Sequence, residues 1–194
     1  APTGFGTPDK DDLLALVDVK KHSLYGEWKV SNGELFNVAS TKTGLALCEM
    51  PMIREGSYDL RVRLTKIEGK DGYVHIGFRK GAYGGGIVFN DRSPTEAGRP
   101  YMGLSYLDRA AANAHGPEML ERAAFFFALG DVHEVVIRVR DEGIAVLLDG
   151  DEVYRWKGEW RRLSQQEIMF PRGLAGRPVT AIGCFKSRIV VHAA

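Results

Sequence analysis

From Tyr25 onward, apolar and polar residues alternate with a period of two. In SYDLRVRLTKI, residues 57–67, Tyr58, Leu60, Val62 and Leu64 share one face, while Asp59, Arg61, Arg63 and Thr65 share the other, as in a half-buried strand. GYVHIGFRK (72–80) sets Val74, Ile76 and Phe78 against Tyr73, His75 and Arg79, and HEVVIRVR (133–140) sets Val135, Ile137 and Val139 against Val136, Arg138 and Arg140. GEWKV, GELFNV, GLALCE, GGIVFN, YMGLSY, GIAVLL, DEVYRW, VTAIGCF and RIVVHA read the same way, about a dozen short strands in all, separated by regular turn signals. The pattern predicts an all-β fold, an antiparallel sandwich or barrel.

Helical periodicity is short. DDLLALVD (11–18), with Asp11 or Asp12 as a cap, and GPEMLERAA (116–124), with Pro117 in the first turn, are the two candidates. Residues 91–131 read as an extended connection with some strand inside it. Residues 1–24 are expected to form a linker-like segment packing on the domain, and 25–194 one β-sandwich domain.

At 194 residues and 44% hydrophobic the chain can fill one core. Its 26 basic and 25 acidic residues nearly cancel, which argues against nucleic acid or an anionic membrane as partner. No apolar run approaches the length of a spanning helix, so no membrane insertion is expected. Cys48 and Cys184 sit in strand-like runs and read either as two buried small hydrophobes or as a disulfide. The opening APTGFGTPDKDD, which lacks Met and resembles a linker, points to a domain processed or excised from a longer exported protein, hence extracytoplasmic.

The run DGDE places Asp149, Asp151 and Glu152 within four residues. Asp-Gly between apolar runs is a hairpin signal, so residues 133–156 read as two successive hairpins and the carboxylates as solvated turn residues. A turn tip neither converges the oxygen ligands that calcium needs nor holds a glycosidase pair at fixed separation. Ser105 lacks the second glycine of a nucleophile elbow, and the five histidines show no metal spacing, so no metal or cofactor is expected. Trp156 and Trp160 read either as a sugar-stacking platform or as cover for the core edge.

Residues 133–156 resemble the hairpin of laminin G-like and other concanavalin A-like sandwich domains, where a strand opening with His or Trp leads to a "v.v.lDG..v" strand. YGEWKVSNGELFNV is similar to the entry strands of bacterial members, including the 3-keto-disaccharide hydrolase-like group, with Trp28, Gly33 and Leu35 matching "W.v.dG.l". PMIREGSYDLRVRLTKIEG resembles the stretch that follows, and the likeness covers most of 25–90 and 133–192. It implies a concanavalin A-like jelly roll. The acidic strand motif E-x-D-x-x-E of laminarinase-like members is absent. Of the hydrolase-like group's "N-S-G-i..R" only Gly77 and Arg79 remain, and its "y-E-v-Q" is missing.

The expectation that follows is a non-catalytic glycan-binding module, with a cell-surface protein interaction domain and a sugar-cleaving enzyme as alternatives. The strands holding residues 57–67 and 72–80 are expected to pair as a hairpin. Arg61, Arg63, Tyr73, His75 and Arg79 would then meet on one polar face, with Tyr83 and Asn90 at its border. So much positive charge in one place would suit an acidic sugar.

Overall fold

The computed structural model describes residues 12–51, 56–69, 72–91, 101–108, 110–111, 119–120, 127–163 and 178–194. The early strands are β1 (Ser23–Tyr25), β2 (Glu27–Ser31), β3 (Glu34–Ala39), β4 (Leu45–Glu49), β5 (Tyr58–Glu68), β6 (Tyr73–Lys80), β7 (Tyr83–Asp91) and β8 (Tyr101–Leu104). After the short β9 (Tyr106–Leu107), β10 (Ala110–Ala111) and β11 (Met119–Leu120) come β12 (Val132–Arg140), β13 (Gly143–Leu148), β14 (Asp151–Lys157), β15 (Ala181–Phe185) and β16 (Arg188–Ala193). Two seven-stranded antiparallel sheets result: sheet A in the order β1-β4-β15-β6-β7-β8-β11, and sheet B in the order β14-β13-β12-β5-β16-β3-β2. This is the expected all-β, two-sheet antiparallel jelly-roll sandwich.

The core lies where the apolar faces meet. Leu64, Val135, Ile137 and Val139 of sheet B, and Val74, Ile76, Phe78 and Ile87 of sheet A, are almost wholly buried in one cluster. Each such side chain contributes about 1.5–3 kcal/mol over its exposed state. Cys48 and Cys184 belong to the same cluster as free thiols, and burial pushes both up to about 12.

The expected hairpin between β5 and β6 does not form. β5 lies between β12 and β16 in sheet B, whereas β6 lies between β15 and β7 in sheet A, so the 69–72 connection is an arch from one sheet to the other. Glycine makes that arch fit: a Cβ on Gly72 would stand 2.1 Å from the Ser187 hydroxyl and 2.2 Å from the Phe185 carbonyl. The link from β15 to β16 is a second arch, and that from β3 to β4 a third. Lys186 N–H donates to the Gly44 carbonyl at 2.7 Å, and the Ser187 hydroxyl bonds the Gly69 carbonyl at 3.4 Å, so the three arches stack at one end. Beneath them Asn37, fully buried, accepts from Ile189 N–H at 2.8 Å, and Lys66 Nζ donates to the Gly72 carbonyl at 2.6 Å. At the other end the Tyr58 hydroxyl donates to the Arg79 carbonyl at 2.5 Å, which ties the sheets together again.

β12, β13 and β14 form the expected meander, and its second turn has Asp149 at φ 53 and Gly150 at φ 95. Positive φ at both positions is what a tight hairpin requires, and Asp-Gly tolerates it. The helix expected over 116–124 is corrected where it can be seen: Met119 and Leu120 pair with Gly103 and Met102 as strand. In place of the α-helix expected over 11–18 stands a single 3-10 turn, Leu14–Leu16, with Asp12 Oδ1 accepting from Leu14 N–H at 3.0 Å. Leu13 and Leu14 join the core, and Leu13 N–H bonds the Ala194 carbonyl at 2.8 Å.

Candidate functional site

The outer face of sheet A is built in cross-strand rows. One runs Leu45, Phe185, Tyr73; the next runs Leu47, Gly183, His75, Val88, Gly103; a third runs Glu49, Ala181, Gly77, Gly86. Alternation alone sets this pattern, because the intervening residues fill the core. The third row is small-sided: from Ala181 across Gly77 to Gly86 it consists of backbone and one methyl group, and all three residues are buried within the chain. Such a strip lets neighbouring groups of the chain, the His75 ring among them, pack closely on the sheet.

His75 leans over that strip. A Cβ on Gly86 would lie 2.0 Å from His75 Nε2, so the imidazole occupies the space the missing side chain leaves. The residue is 2% exposed, and its Nδ1 finds no hydrogen-bond partner among the described residues. Burial holds the ring neutral and brings its pKa down to about 4. Gly183 is fitted as closely, since a Cβ there would meet the Ala46 carbonyl at 2.4 Å.

The first row ends in an aromatic shelf. Tyr73 and Phe185 are cross-strand partners whose rings lie 5.2 Å apart and 21° from parallel, both half-buried. Leu24 and Tyr25 pack beside them on a second apolar cluster of Leu45, Leu47, Val179 and Ala181. Lys186 Nζ stands 5.2 Å from the Phe185 ring centre. The two rings are offset-stacked, and together they present partly exposed aromatic surface with the tyrosine hydroxyl at its edge. Of these aromatics only Tyr73 was expected; Phe185 and Tyr25 are brought in by long-range pairing that alternation does not reveal.

The structure divides the expected site. Arg61 and Arg63 lie on the outer face of sheet B, where Arg61 Nη1 meets Glu134 Oε1 at 3.2 Å. Tyr73, His75 and Arg79 lie on the outer face of sheet A. Tyr83, 43% exposed, follows the turn after β6 and falls on the inward-facing register of β7, the same as Ile87 and Phe89. Asn90 belongs to β7, with its side chain outside the described residues. The charges of sheet B are paired, Asp59 with Arg138 and Arg140, and Glu152 with Arg155.

The DGDE carboxylates do structural work. Asp149 accepts from Glu134 N–H at 2.8 Å and holds His133 Nδ1 at 2.7 Å, fastening the hairpin end, while Glu152 pairs with Arg155, whose guanidinium holds that carboxyl below its usual range. Trp156 is buried, and Trp160 packs edge-on against it at 5.9 Å with its N–H on the Asp141 carbonyl, so the pair covers the core edge. Pattern reading also missed a relay on sheet B, where Glu34 Oε1, His192 and Thr65 Oγ1 connect at 2.6 and 2.9 Å across β3, β16 and β5. Only the assembled sheet brings these residues together.

Known structures share the fold. The carbohydrate binding module CBM66 from Bacillus subtilis superposes with a TM-score of 0.53 at 10% identity, over 87% of this chain and 89% of its own. A Bacillus subtilis protein of unknown function with a galectin-like fold gives 0.53 at 12%, covering 90% and 88%. A native glycosidic hydrolase gives 0.51 at 13%, covering 91% and 86%. No protein-family model matches the chain, and no curated protein matches it.

Proposed function

We propose that the chain is a carbohydrate-binding module of a larger or exported protein, acting outside the cytoplasm, and that it holds a glycan against the outer face of sheet A. The stacked Tyr73 and Phe185 rings carry this reading, because partly exposed aromatic surface at the edge of the sheet suits the apolar face of a sugar ring. Its likeness in fold to a carbohydrate binding module and to a galectin-like protein supports it by analogy. Among the described outward positions of this face Glu49 is the one carboxylate, which favours binding over hydrolysis by an acid pair.

A glycan array followed by calorimetry tests the proposal. Tyr73→Ala and Phe185→Ala should each weaken the retained glycan about tenfold, equivalent to ~1.4 kcal/mol, while Arg61→Ala leaves affinity in place. Retention of no glycan at millimolar concentration, or equal loss in all three variants, would refute it.

A second reading, a protein interaction domain, is favoured by another surface. Ile67, Leu129 and Val132, at 39, 51 and 47% exposed, adjoin on sheet B: Val132 pairs with Thr65, and Leu129 bridges Lys66.

A further inference from the structure

We infer that the turn at Asn32 and Gly33 is a site of spontaneous chemical modification, where Asn32 loses its side-chain amide and becomes aspartate or isoaspartate. The site lies on sheet B and is independent of the glycan reading.

Asn32 and Gly33 join β2 to β3 as a two-residue turn, closed by the Ser31 and Glu34 pair, with φ 54 and 77. Asn-Gly suits such a turn because both residues accept positive φ. The same dipeptide invites attack by the main chain on the side chain, since glycine sets no Cβ beside the nitrogen that attacks. Ser31, Asn32 and Gly33 are all exposed, and even a Cβ built on Gly33 would meet no atom within 4 Å. Water and base therefore reach the reacting atoms. β2 ends the strand order of sheet B, so the rotation that brings the Gly33 nitrogen onto Asn32 Cγ needs only local opening of one hairpin end.

In the reaction the Gly33 nitrogen bonds to Asn32 Cγ and the bond from Cγ to the amide nitrogen breaks. Ammonia leaves with the proton that the glycine nitrogen gave up. The succinimide ring then takes up water at one of its two carbonyls. Opening on one side leaves aspartate, and on the other isoaspartate, in which the main chain runs through the side-chain carbon. Water is the co-reactant, and nothing is oxidised or reduced.

Two other places in the chain show what suppresses this chemistry. Asn37 is fully buried, its oxygen accepts from Ile189 N–H at 2.8 Å, and the β-branched Val38 follows it. At Asp149 and Gly150, a turn with φ 53 and 95, the carboxylate is fastened to Glu134 N–H at 2.8 Å and to His133 at 2.7 Å. Asn32 has neither burial nor, among the described residues, a hydrogen-bonded side chain. The isoaspartate product adds a main-chain carbon to a turn whose length sets the strand register, next to the Glu34 that holds His192 at 2.6 Å.

The intact chain, aged in mildly alkaline buffer, is sampled by peptide mapping and isoelectric focusing. Conversion at Asn32 should run at least about tenfold faster than at Asn37, equivalent to a barrier lower by ~1.4 kcal/mol. An acidic band should grow in step with it, because each event removes one unit from a formal net charge of +1. Asn32→Gly, which suits the turn, should abolish that band. Equal conversion at Asn32 and Asn37, an acidic band that persists in Asn32→Gly, or an unchanged Asn32 after the denatured chain has converted would each overturn the inference.

Discussion

The outer faces of the two sheets share one alternating pattern and use it in opposite ways. On sheet B the outward positions of β5, β12 and β14 carry Asp59, Arg61, Glu134, Arg138 and Arg155, ion-paired across strands or, for Arg155 with Glu152, along one strand. On sheet A the described outward positions are mostly glycine, alanine, aromatic or aliphatic, with Glu49 and Arg79 the charged ones, and several are almost wholly buried, Leu47, His75 and Ala181 among them. Sheet B thus has one dry face, and sheet A is dry on both. Charged residues at alternate positions mark a face built for water, whereas glycine and alanine at those positions mark one built for close contact.

The sharpest way to break the contrast is to enlarge a glycine on sheet A. Gly183→Val should cost more than about 3 kcal/mol, because the clash is with the Ala46 backbone and not with a movable side-chain tip. Chemical denaturation would show it, and a melting curve like the wild type's would mean the face is looser than drawn.

Acid probes the same face at a somewhat smaller scale. The folded protein keeps His75 neutral with a pKa of about 4, while the unfolded chain takes up a proton near 6.5. The contribution is therefore intact above pH 6.5, falls away as the pH drops toward 4, and levels below that, a loss of at most roughly 3 kcal/mol. The difference in stability between wild type and His75→Leu, followed from pH 7.5 to 4, should narrow by that order. A constant difference would place water or a partner at Nδ1.

The least effect is expected on sheet B. Arg61→Ala removes a 3.2 Å pair with Glu134 whose arginine is 64% exposed, and stability should move by ~0.5 kcal/mol or less. A drop of several kcal/mol would show that this face is not simply solvated.

Within each strand the sequence was legible. The Val74, Ile76, Phe78 face and the Asp149-Gly150 turn follow from alternation and from the φ that a tight turn demands. Which strand lies beside which was not legible, because an arch and a hairpin join strands of identical pattern, and glycines in 69–72 serve either. That one choice moved Arg61 away from His75. The Phe185 partner of Tyr73 and the Thr65 partner of His192 were hidden for a related reason: each stands more than a hundred positions away in the chain.

The placement of β15 and β16 has a bearing on how the molecule assembles. They are the last two strands in chain order, yet β15 lies between β4 and β6, and β16 between β3 and β5. Until both have been synthesised, neither sheet can hydrogen-bond across its middle, and β4, β6, β3 and β5 each wait with an unpaired edge. Closing contacts such as Cys48 with Ile182 and Leu35 with Val191 span most of the chain. Such topology makes for slow folding and long exposure of sticky strand edges on the ribosome. Neither sheet can therefore complete its pairing until residues 181–193 are available to it.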